Sequence, residues 1–164
     1  MIYSRIIEPK IEKNLKNDKV IVVTGMRRVG KTTLLKKVFD GVASDNKLWF
    51  DFENPLDVKY FNDLDYNDVF INLLNKGLDK NKRIYVFIDE VQHYPEISKI
   101  IKYLADHYKI KFIITGSASY YLKNLFPESL SGRKIIFEMF PLNFEEFIIF
   151  KGEDAKKYDK IKNK

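Results

Sequence analysis

Residues 22–33 read VVTGMRRVGKTT, in which Gly25 and Gly30 stand five apart and are followed by Lys31, Thr32 and Thr33. This meets the pattern G-x-x-x-x-G-K-[ST] in full, and its context is a β-branched run before and a helical pattern after. Each residue type has a chemical reason. Glycines let the backbone adopt conformations a side chain would block and bring amide N–H groups against phosphate oxygens. A helix beginning near Lys31 adds the positive end of its dipole. Lys31 can reach β- and γ-phosphates, and the Thr32 hydroxyl can ligate Mg²⁺. The nucleotide-contacting set is therefore Gly25, Arg28, Val29, Gly30, Lys31, Thr32 and Thr33. Arg27 and Arg28 occupy variable positions of the loop and receive no catalytic role.

A second polar group narrows the chemistry. In IYVFIDE an apolar run delivers Asp89 and Glu90 to the end of a buried strand. Asp89 is suited to hold Mg²⁺ through its water shell, and Glu90 to orient or deprotonate an attacking water. Beside the phosphate loop, that pair favours hydrolysis of ATP over transfer to a metabolite. A third group closes the segment IKFIITGS. In ATPases with an extra strand between the phosphate-loop strand and the acidic strand, a polar side chain here contacts the γ-phosphate or the attacking water, which makes Ser117, and after it Thr115, the candidates; the alternative role for both is to cap the helix that follows.

The periodicities that must position these residues alternate between strand and helix. KVIVVT, KLWFDFE, RIYVFIDE, IKFIITGS and RKIIFEMF read as strands. IEPKIEKNL, KTTLLKKVFD, YNDVFINLLNKGL, PEISKIIKYLADHY, SYYLKNLF and NFEEFIIF read as helices, with Gly41 placed to end the second and Asn54-Pro55 to stop the second strand. Strands separated by helices imply an α/β fold with a parallel sheet covered on both faces. Ligands then sit outside the carboxyl ends of the strands, where Gly25–Thr33, Asp89-Glu90 and Thr115–Ser117 all fall.

Composition bounds the alternatives. The 164 residues, 45% hydrophobic and 15% aromatic, suffice for one globular core. No stretch approaches the roughly 20 apolar residues of a bilayer span. The absence of cysteine excludes disulfides and thiolate metal sites and fits a cytoplasmic location. A net charge of +6 permits DNA as a partner, although the lysines are scattered and densest in the terminal KKYDKIKNK. His93 and His107 lack metal-ligand spacing. Gln92 either lines the phosphate site or faces water. Trp49, Phe50 and Phe52 read as core.

Together TGMRRVGKTTLL, FIDEVQ, FIITGSAS and LSGRKIIFEMFPLNFEEF resemble the prokaryotic AAA-type ATPases of the AAA+ superfamily related to the STAND lineage. The resemblance spans nearly the whole chain. It implies a P-loop NTPase fold, a three-layer α/β/α sandwich with a parallel five-stranded sheet in the order 5-1-4-3-2. Residues 1–150 would be the ATPase core. Residues 151–164 would be a lysine-rich tail, disordered or the start of a C-terminal region of the kind family members usually carry. It also implies that Arg133 could reach the nucleotide of a neighbouring subunit in a homo-oligomer; the competing expectation is a surface arginine paired with Glu128 or Glu138. The implied function is a Mg²⁺-dependent, ATP-hydrolysing core acting through partner domains or subunits. The alternatives are an ADP/ATP-sensing switch and a DNA-associated ATPase of recombination or defence.

Overall fold

The computed structural model describes residues 4–117 and 132–153. In chain order these form α1 (Glu8–Asn14), β1 (Val20–Gly25), α2 (Lys31–Gly41), β2 (Lys47–Asp51), α3 (Pro55–Val58), α4 (Tyr66–Leu74), β3 (Tyr85–Asp89), α5 (Ile97–Tyr108), β4 (Lys111–Gly116), β5 (Lys134–Met139) and α6 (Phe144–Phe150). Short 3₁₀ turns span Lys59–Phe61 and Val91–His93. The SYYLKNLF helix, Glu128 and most of the lysine-rich tail lie outside the described residues.

The sheet has five strands in the order β2-β3-β4-β1-β5, and every pairing is parallel. This is the expected order read from the other edge. The inner strands β1, β3 and β4 are apolar on both sides because both faces are covered, whereas the edge strand β5 exposes Ile136 and Glu138. Val20, Val22, Val86, Ile88, Phe112 and Ile114 point into one core, with Val69 and Leu73 of α4 and Ile97, Ile100, Ile101 and Leu104 of α5. Their neighbours Ile21, Val23, Phe87 and Ile113 point into the other, with Ile11 of α1 and Leu34, Leu35 and Val38 of α2. Alternation along a strand thus feeds two layers, which is why each reads as a continuous apolar run. The spacing i, i+3, i+4, i+7 on α5 puts its apolar stripe against the sheet.

Three local expectations change. Helix α2 runs through Gly41, and Val42 in an extended conformation ends it. Strand β2 stops at Asp51. Beyond it Asn54 caps α3 by accepting from Leu56 N at 3.1 Å, so the expected loop holds a helical turn and a 3₁₀ turn.

One buried charge belongs to the fold. Lys111 opens β4 with no exposed surface, and its Nζ donates to Asn14 O at 2.7 Å, to Asn17 Oδ1 at 3.1 Å and to Lys19 O. Burial, and after it the nearby Arg83 charge, pulls its pKa down to about 8. The amine ties the connection between α1 and β1 to the amino end of the central strand. Lys111→Met should leave those acceptors unsatisfied and destabilise the fold by about 1–3 kcal/mol, measured by denaturant titration.

Candidate phosphate-binding site

Strands β2, β3 and β4 lie on one side of β1 and β5 on the other, which places the loop after β1 at the point where the topology switches direction. Gly25, at the end of β1, has φ +152°, and a Cβ there would collide with the Met139 carbonyl of the adjacent strand. Gly30 has φ +95° and sits immediately before α2. No side chain caps that helix and no acidic residue occupies its first turn. The amides of residues 29–33 have no acceptor among the described residues. Unpaired N–H groups at the positive end of an 11-residue helix fit a polyphosphate.

Lys31 is 4% exposed, and its Nζ donates to Gly25 O at 3.2 Å and Met26 O at 3.0 Å. Glu90 Oε1 lies 3.9 Å from the same nitrogen. Lysine and carboxylate therefore share one edge of the sheet. Asp89, 3% exposed, accepts from Thr115 Oγ1, and that hydroxyl in turn accepts from Glu90 N at 3.1 Å. Thr115 thus braces the acidic pair, whereas Ser117 faces Gln92. Gln92 Nε2 donates to Glu90 Oε2 and to Ser117 Oγ at 2.9 Å, and Ser117 N donates to Gln92 Oε1 at 3.1 Å. Gln92 turns inward from the Val91–His93 turn, while His93 is exposed.

A group that local sequence reasoning missed is Arg5. Its Nη1 donates to Val29 O at 2.8 Å, its Nη2 to Phe140 O at 2.6 Å, and its Nε to Glu146 Oε1 at 2.9 Å. Glu146 closes a capping box with Asn143 on α6. Arg5 thereby straps the loop to the last helix. Beside it opens a cavity of roughly 290 Å³ lined by Arg28, Val29, Gly30, Met139, Leu142 and Phe150, among others. The only sequence sign was the asparagine–glutamate capping spacing at the start of α6.

Arg133 stands elsewhere. It immediately precedes β5, whose first residue pairs with Val20 at the amino end of β1, and its guanidinium pairs with Asp106 of α5. It lies at the end of the sheet opposite Lys31, and its partner is neither of the two glutamates expected. His107 stacks on Tyr103 with centroids 4.0 Å apart, its Nδ1 2.9 Å from the Tyr103 carbonyl oxygen.

Among the described residues no three His, Cys, Asp or Glu side chains cluster to hold an ion. Magnesium takes one or two protein oxygens plus phosphates and waters, and the Thr32 hydroxyl with the second Asp89 oxygen is a donor set of that kind.

The fold and this site define an AAA-type phosphate-loop core. A family model described as an AAA domain matches residues 17–148, and the chain belongs to that family. An uncharacterised protein of Haemophilus influenzae is 32% identical over 144 residues, which is 85% of this chain and 35% of that protein. Uncharacterised protein MJ1544 of Methanocaldococcus jannaschii is 32% identical over 154 residues, 94% of this chain and 34% of that protein. The chain thus spans about a third of the length of these relatives. Among solved structures, C. elegans PCH-2 superposes with a TM-score of 0.62 at 16% identity, covering 98% of this chain and 49% of that one. Drosophila ORC bound to DNA gives 0.60 at 13% identity, covering 84% and 90%. No helix of the described residues is long and apolar enough to cross a membrane.

The strap should respond to acid. Burial opposes ionisation of Glu146, but bonds from Arg5, Ile6 N and Asn143 N outweigh it and hold the carboxyl below its ordinary 4.5. The folded protein therefore releases this proton more readily than the unfolded chain. Its stabilisation is complete above pH 4.5 and lost as pH falls through the lowered folded value. The stability difference between wild type and Glu146→Gln should be largest above that pH and shrink below it, read from thermal melts across the acid range.

Proposed function

We propose that this domain binds ATP as its magnesium complex and hydrolyses it to ADP and phosphate, acting through further domains or subunits. The observation that carries the reading is the approach of Glu90 Oε1 to within 3.9 Å of Lys31 Nζ, beside a loop and helix end rich in unpaired amides. The apolar cavity next to the loop, with Met139, Leu142 and Phe150, suits a purine ring better than a small phosphorylated metabolite.

In this reading the loop amides and Lys31 bind the β- and γ-phosphates. Thr32 and Asp89 hold the cation, which when bound neutralises charge on the phosphate oxygens. Glu90 accepts a proton from the attacking water as the bond from the γ-phosphorus to the β–γ bridging oxygen breaks. Thr115 keeps the Asp89 carboxylate and the Glu90 backbone at fixed spacing while this happens. Ser117 stands at the tip of β4 as the candidate γ-phosphate contact. Arg133 points away from its own chain's loop, so any contribution to phosphoryl chemistry goes to the nucleotide of a neighbouring copy.

Two substitutions separate binding from chemistry. Lys31→Ala should weaken ATP and ADP binding at least about tenfold by calorimetry, since in this reading it removes the buried cation that the phosphates would meet. Glu90→Gln should keep ADP affinity and lose about 10²–10⁴ in turnover, the range for a positioned general base. Undiminished phosphate release by Glu90→Gln would remove the assignment of the base. Tight ADP retention with negligible turnover in the wild type would favour a nucleotide-sensing module instead.

A further inference from the structure

Gln92 lies outside the phosphate loop and the acidic pair, yet its side chain is fully engaged beside the site. A primary amide offers two N–H donors and one carbonyl oxygen. Here one donor goes to the Glu90 carboxylate, the other to Ser117 Oγ, and the oxygen takes Ser117 N. The backbone N–H and the hydroxyl oxygen of Ser117 are thus both held by the amide that also holds Glu90. The turn that carries Gln92 has little freedom: Val91 is fully buried, and Glu90 before it is in the left-handed region at φ 52°. Without the amide, a glutamate side chain with three rotatable bonds would lose its hydrogen bond and keep the looser pairing with Lys31, 3.9 Å from its other oxygen.

We propose that Gln92 is a positioning residue: its amide holds the Glu90 carboxylate to the tip of β4, so that the hydrogen bonds made by Ser117 set where that carboxylate points. The proposal rests on Glu90 being the group that accepts the water's proton. Ser117 Oγ accepts from Gln92 and donates to no acceptor among the described residues, so its own proton is available to a terminal phosphoryl oxygen. A hydroxyl that donates becomes a better acceptor, which strengthens its bond from Gln92. The terminal phosphate and the carboxylate are thereby linked through one amide, and a diphosphate, which lacks that oxygen, leaves the linkage unchanged.

Nuclear magnetic resonance of the Gln92 side-chain amide, assigned by its loss in Gln92→Ala, tests this without relying on turnover. Its two N–H resonances should shift in Glu90→Gln and in Ser117→Ala. They should shift again when Mg²⁺ with a non-hydrolysable ATP analogue binds, and not with Mg²⁺ and ADP. Resonances that stay in place in both variants, or that respond identically to the two nucleotides, overturn the proposal. In turnover assays Gln92→Ala should lower kcat about 10–100-fold, as when an orienting partner of a reactive group is lost. KM, ADP affinity and melting temperature should stay near wild type. Gln92→Glu keeps the size and the acceptor but loses both donors, and should be equally impaired; a raised KM at normal kcat in either variant counts against positioning. Should Glu90→Gln turn over normally, the base assignment falls, while the amide resonances still report whether Gln92 ties Glu90 to Ser117.

Discussion

A buried ammonium sets the shape of the phosphate loop. Lys31 has almost no exposed surface, and a charge removed from water is tolerated only when paired and hydrogen-bonded. The Gly25 and Met26 carbonyls turn inward to supply two of its acceptors, and Glu90 stands close on the third side. Carbonyls that face the lysine leave the amides further along the loop facing outward. The glycines follow from the same geometry, since Gly25 passes against the backbone of β5 and Gly30 turns left-handed into α2. One charge thus accounts for the direction of the donors and for two residues of the motif.

Parallel pairing supplies the other half of the site. β3 and β4 run in register with Ile88 opposite Ile114, so the next residues, Asp89 and Thr115, emerge side by side. Thr115 is fully buried and sends its hydroxyl proton to the neighbouring carboxylate. β1 lies against β4 on its other side, with Thr24 opposite Gly116, which brings the loop to the same edge. The continuous apolar runs hold these tips in place because β1, β3 and β4 are each locked between two cores.

The strands and the motif were legible because both are local: β-branched runs and fixed spacing need no knowledge of distant chain. The strand order came from the family resemblance, since periodicity says nothing about which strand lies beside which. Contacts set by the finished register could not be read in advance. Arg5 and Glu146 meet across 141 positions of sequence, and Arg133 finds Asp106 across 27. Ser117, and after it Thr115, read as the polar residues that meet the phosphate, but which partner each finds depends on the neighbouring strand: Thr115 braces the carboxylates and Ser117 meets Gln92. The helical turn after Asn54 was hidden for a related reason: four residues are too few to show a period, and only the Asn54 cap announces it.

Backbone strain falls where the loop and the acid face each other. Among the described residues three non-glycine residues have positive φ: Arg28 at 64°, Glu90 at 52° and Lys109 at 53°. Lys109 follows the last turn of α5 and closes a helix in a common way. Arg28 and Glu90 have no such excuse, and each costs about 1–3 kcal/mol that the surroundings must offset. For Glu90 the surroundings are visible, with Asp89 and Val91 buried on either side and its own amide bonded to Thr115. Arg28 and Glu90 also line the same cleft of roughly 440 Å³, together with Arg27 and Glu53. Relaxing Glu90 to an ordinary turn would swing its carboxylate out of that cleft and away from Lys31. The strain is therefore the cost of aiming one carboxylate, and the hydrogen bonds that the Glu90 amide gives to Thr115 and its carboxylate takes from Gln92 are what keep it aimed.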